Sequence, residues 1–95
     1  MNLMTFSLFP CFGRASLRVV SPEGNPEDED TVTAIFHGIL KATAARLVEL
    51  GRGQEAKHFL AAVPRDVSID LEAMLRAGYR LEGIPAPVWD LILTR

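Results

Sequence analysis

Hydrophobic positions recur along this chain with two different periods, and the change of period divides the sequence. Over residues 3–9, Met4, Phe6 and Leu8 alternate with Thr5 and Ser7, the two-residue period of a half-buried strand. Residues 15–21 repeat the pattern, with Leu17 and Val19 on one face. Pro10 to Gly13 lies between the two runs and supplies turn chemistry, so residues 1–22 predict a β-hairpin. An irregular arm packed on the helices or on a second subunit is the competing reading.

Further along, the period lengthens to that of a helix. Asn25 suits an N-cap, Pro26 the first helical position, and Glu27, Asp28 and Glu29 the first turn, where the helix dipole favours acids. Gly51 suits the position just past a helix end. These limits predict a helix over 26–50, about 37 Å long at 1.5 Å per residue. The β-branched run Thr31-Val32-Thr33 weakens its first turns. Val32, Ile35, Phe36, Ile39, Leu40, Leu47 and Leu50 share one broad apolar face, and Ala34, Gly38, Ala42 and Ala45 form an adjoining stripe of small side chains. Only His37 and Lys41 mark a clear polar strip. A helix apolar over so much of its circumference has to be covered from several sides. Gly38 in mid-helix costs about 1 kcal/mol relative to Ala; a close approach of another backbone would account for it.

Three shorter helices follow in the pattern. Residues 53–63 carry the stripe Ala56, Phe59, Leu60, Val63 and stop at Pro64. Residues 68–77 run from Ser68 as N-cap to Gly78, with Leu71, Met74 and Leu75 inward. Residues 79–84 alternate briefly, as an extended segment would. Pro85-Ala86-Pro87 then leads into a helix over 87–94 with Val88, Trp89, Leu91 and Ile92. The predicted fold is mainly α, a small α+β domain: one long helix packed by three shorter helices, with an N-terminal β-hairpin. Residues 1–22 form the hairpin or arm, 23–30 an acidic linker and helix start, and 31–95 the helical body of a single domain.

Composition sharpens this picture in one respect. At 95 residues the chain is expected to form one domain. It is 48% hydrophobic although residues 21–30 contribute no such residue. So small a domain has more apolar surface than short helices readily cover, which points to a second copy or another protein over part of the long helix. Ala34, Gly38, Ala42, Ala45 and Trp89 are the candidate partner or dimer-interface residues. The net charge of −2 does not suit a general nucleic-acid binder. Five acids fall in residues 23–30; Glu27, Asp28, Glu29 and Asp30 are candidates for docking a basic partner. Arg46, Arg52 and Lys57 gather near Gly51-Arg52-Gly53 and are the candidate anion or nucleic-acid contacts, with Glu49 and Glu55 interleaved.

Catalytic and metal chemistry find little support. His37 and His58 stand 21 positions apart on polar sides, and the single Cys11 has no assignable base. A helix-turn-helix reading of the second and third helices fails on the outward Asp70 and Glu72 and on the Pro in the turn. No catalytic residue, cofactor, metal or small-molecule substrate is implied. One cysteine excludes an internal disulfide. No apolar run reaches the about 20 residues of a membrane span. Pro10 and the lack of a basic start disfavour a signal peptide. The expected location is the cytoplasm. The expected function is a non-enzymatic protein-binding module (a small regulator, adaptor or inhibitor), acting as a homodimer through an apolar helical surface. The alternative is a nucleic-acid-associated regulator that contacts phosphates with Arg46, Arg52 and Lys57.

Overall fold

A computed structural model describes residues 13–93. The chain is mainly helical. A 3-10 turn, Arg14–Ser16, leads into strand β1 (Arg18–Val20), then the long helix α1 (Glu29–Glu49) and helix α2 (Gly53–Leu60). Helix α3 (Leu71–Arg76), strand β2 (Arg80–Glu82) and helix α4 (Ala86–Leu93) complete the described part. All three shorter helices pack on α1, α2 the most extensively.

Helix α1 starts three residues later than the local pattern suggests. Asp28 is its N-cap: the Thr31 N–H donates to Asp28 Oδ1 at 2.8 Å. Asn25 and Pro26 are drawn into a turn instead. The Asn25 N–H donates to Ser21 Oγ, the Ser21 N–H donates to the Asn25 carbonyl, and Pro26 lies in bridge register with Val20. The same competition moves the start of α3 from Ser68 to Asp70, whose carboxylate accepts from the Ala73 N–H at 3.0 Å. Helix α2 ends at Leu60, short of Pro64. Gly51 and Gly78, at φ +77° and +104°, end their helices in the left-handed conformation that only Gly adopts freely.

Strand β1 pairs with β2, antiparallel, with Val19 opposite Leu81. Sequence alternation pointed instead to residues 3–9 as its partner; those lie outside the described residues. On the other edge of β1, the Glu27 N–H donates to the Val19 carbonyl at 2.9 Å. The sheet lies over the N-terminal half of α1. Leu17, Val19, Val32, Ile35, Ile39, Leu81, Ile84 and Val88 form the main buried cluster. A second, smaller cluster of Ala44, Leu47 and Ala56 joins α1 to α2.

The segment between α2 and α3 is irregular but fixed to α1 on successive turns. Lys41 Nζ donates to the Val67 carbonyl at 2.9 Å. One turn earlier, Ile69 sits on Gly38, where a Cβ on the glycine would lie 2.8 Å from Ile69 Cβ. The close approach that Gly38 permits is therefore filled by a side chain of the same molecule. Leu50 and Leu60, placed on apolar stripes by their spacing, are instead 46% and 45% exposed. Leu50 stands just past the end of α1 as its C-cap.

Candidate functional site

The pinned segment and α4 together make a cleft against α1. One part, about 440 Å³, is lined by Ala42 of α1, Ile69, Leu71 and Leu75 from the α3 side, and Trp89 and Ile92 of α4, with Ser68, Asp70 and Glu72 at its edge. An adjoining part of about 340 Å³ shares Ala42 and Ile92 and continues to Ala45, Arg46 and Glu49. The floor is apolar because the small side chains of α1 leave room there while α4 supplies bulk from the opposite wall.

Three of the five residues expected at a partner surface meet here. Ala42 and Trp89 are half-buried and Ala45 is exposed. Gly38 is buried, with Ile69 of the same chain seated on it. Ala34 is half-buried and does not line the cleft. Ile69, Leu71, Leu75 and Ile92 complete the lining and were not singled out as a site by sequence. The apolar spacing of Leu71, Leu75 and Ile92 marked them as inward-facing, but only the packing of α3 and α4 on α1 shows that they share a wall.

The structure brings together two of the three basic candidates and leaves Arg46 apart. Arg46 lies in the cleft and donates from Nη1 to Glu49 Oε1 at 2.9 Å. Arg52 and Lys57 lie instead at the corner between α1 and α2, beside Val48 and Leu60. Arg52 makes a two-pronged pair with Glu55, both contacts at 2.6 Å. Hydrogen bonding to Arg52 holds the Glu55 carboxyl below its ordinary range, and the same bond raises the Arg52 guanidinium. Two of the three bases, Arg46 and Arg52, are thus matched by carboxylates.

The acidic candidates carry local duties. The Asp28 carboxyl is held below its ordinary value chiefly by its hydrogen bonds from Thr31 at the helix start. Glu29 is almost fully exposed and approaches Arg14 at 3.6 Å. Glu27 is half-buried through its place beside β1, and Asp30 is exposed in the first turn. Arg14 reaches past them, donating from Nε to Thr33 Oγ1 at 2.9 Å, and so ties the 3-10 turn to α1.

His37 is half-buried with its ring 5.9 Å from that of Phe36, and His58 is exposed. Among the described residues no group of three or more His, Cys, Asp or Glu side chains could hold a metal ion. Cys11 lies outside the described residues. Helices α2 and α3 pack on α1 rather than chiefly on each other, which is not the arrangement of a helix-turn-helix. No helix of the described residues is long and apolar enough to cross a membrane. Comparison with family models, with curated proteins and with solved structures finds no match to this chain.

Proposed function

We propose that the chain is a non-enzymatic protein-binding module, a small regulator, adaptor or inhibitor, whose partner seats in the cleft between α1 and α4. The observation that carries this reading is the cleft itself. Ala42, Leu71, Leu75, Trp89 and Ile92 make a continuous apolar floor beneath a charged rim, the composition of a recognition surface with a central anchor. The case for a homodimer rested on the uncovered circumference of the long helix. The sheet, the pinned loop and the shorter helices cover much of that circumference, and the cleft is the part left for a second copy or another protein. Cytoplasmic residence belongs to the same reading and is supported by a single cysteine.

The test is site-specific photo-crosslinking in the native host. A photoreactive side chain at Ala45, in the cleft, is compared with one at exposed Ala77, outside it. Position 45 should give a discrete protein adduct that position 77 does not. Equal or absent adducts from the two positions would sink the reading. An adduct of twice the 10.5 kDa chain mass would restore the homodimer as the form it takes.

A further inference from the structure

We infer that a second copy of this chain docks edge to edge on β2, joining two β1–β2 pairs into one four-stranded antiparallel sheet. This surface lies apart from the cleft, whose lining includes no residue of β2. The hydrogen-bond pattern of the sheet leaves one edge open. The Val19 carbonyl accepts from the Glu27 N–H, so it points away from β2. Residues directly opposite each other in an antiparallel pair share that sense. Leu81, opposite Val19, therefore turns its own N–H and C=O away from β1. The outer edge of β1 is taken by Pro26 and Glu27. No strand among the described residues pairs with the outer edge of β2. A strand edge of this kind is a template for pairing with another chain.

The side chains choose the occupant. Arg80 and Glu82 flank Leu81 on the exposed face, while Leu81 is buried on the other. Arg18 of β1 stands opposite Glu82, yet among the described residues neither Arg80 nor Glu82 makes an ion pair. An edge lined with one sign of charge would repel its own copy. Here the order Arg80-Leu81-Glu82 is its own complement. Antiparallel pairing centred on Leu81 exchanges two main-chain hydrogen bonds between the two Leu81 residues. It also sets Arg80 of each copy opposite Glu82 of the other, an attractive cross-strand pair made twice. The two-fold axis passes through the Leu81 pair, as an isologous contact requires.

The test is the molar mass of the full chain by light scattering across a concentration series. Three residues per copy make a small interface. The mass should therefore rise reversibly from 10.5 kDa towards twice that value as concentration increases. Arg80→Glu and Glu82→Arg each set like charges opposite each other twice, and each alone should weaken dimerisation at least about tenfold. Mixing the two variants restores both opposite-charge pairs, so the mixture should form a heterodimer over the wild-type concentration range. The double exchange R80E/E82R should dimerise as the wild type does. All these positions are exposed, so circular dichroism should stay unchanged throughout. A wild-type chain that remains monomeric at every concentration would overturn the inference. So would a dimer that persists in both single variants, or one that mixing them does not rescue. A dimer seated in the cleft instead is recognised by surviving all three variants and by a self-adduct at position 45. If the β2 contact fails while position 45 crosslinks to another protein, the protein-binding reading stands and only the edge-to-edge dimer falls.

Discussion

The two halves of α1 are covered by different means. The N-terminal half lies under the β1–β2 pair and α4, where Val32, Ile35 and Ile39 join five further buried side chains, with Phe36, Ile69, Leu71, Met74, Leu75, Tyr79 and Trp89 packed around them. The C-terminal half meets α2 through a cluster of only Ala44, Leu47 and Ala56, edged by Phe59 and Leu91. Beside it Val48, Leu50 and Leu60 stay about half-exposed. The first half is where the fold is anchored. The second half packs closely on α2 but through smaller side chains, and the cleft opens beside it. The same helix thus supplies the core at one end and the wall of an open cleft at the other.

The comparison breaks most completely at the sheet end. Gly83 follows β2 at φ +90°, and a Cβ there would overlap the Ser16 carbonyl oxygen, which is backbone and cannot swing aside. Gly83→Ala should cost about 4 kcal/mol or more, read as a lowered urea midpoint. Next come the paired truncations Ile39→Ala and Leu47→Ala, both at fully buried positions. The first should cost about 3–4 kcal/mol and the second about 2–3 kcal/mol, because the thinner cluster relaxes more easily around a deletion. Equal losses would remove the distinction between the halves.

Gly38→Ala probes the boundary between them. Helix propensity alone would gain about 1 kcal/mol, but the new Cβ meets Ile69 Cβ at 2.8 Å and the pinned loop must move. A net loss of about 1 kcal/mol is expected. In an Ile69→Gly background the same change should become stabilising, a sign reversal that a double-mutant cycle measures.

The smallest effects are electrostatic. The carboxyls of Asp28 and Glu55 are both held below their ordinary values in the folded chain, chiefly by hydrogen bonds from Thr31 and Arg52. Groups depressed in this way add stability that is complete above about pH 4–5 and fades as pH falls through the folded values. Combined Asp28→Asn and Glu55→Gln should therefore flatten the loss of thermal stability between about pH 5 and pH 2. At neutral pH, Glu55→Gln alone should cost less than about 1 kcal/mol, since the pair with Arg52 is solvent-screened. An unchanged acid limb would show that these contacts do not shape the pH response.

Sequence reading recovers what local chemistry determines. The long helix, the three shorter ones and the glycine stops at Gly51 and Gly78 all follow from spacing and backbone freedom. The helix starts are less legible because several residues compete for one role. Asn25 and Asp28 can both cap α1, and the choice is made by Ser21, which holds Asn25 in a turn next to β1. The partner of β1 is not legible at all: brief alternation at 79–84 marks an extended segment but not what it pairs with. Gly38 shows a middle case. Its cost correctly signals a close approach, but the identity of Ile69 depends on a loop without periodic pattern. The cleft is half-legible for the same reason, since Ala42, Ala45 and Trp89 stand out individually while Leu71, Leu75 and Ile92 join them only through tertiary packing.

The pairing of β1 with β2 also sets an order of events. It joins residue 20 to residue 80, and closing so long a loop carries an entropic cost that must be met before the contact yields anything. The turn from α1 into α2 needs only neighbours in sequence and can form on a much shorter timescale. As the chain leaves the ribosome, β1 and α1 are made well before residues 80–82. Until those arrive, Val19, Ile35 and Ile39 lack their cover of Leu81, Ile84 and Val88. The thinly packed end is thus the first to assemble and the anchored end the last. A nascent chain halted before residue 80 would expose the apolar side chains that the finished protein hides best.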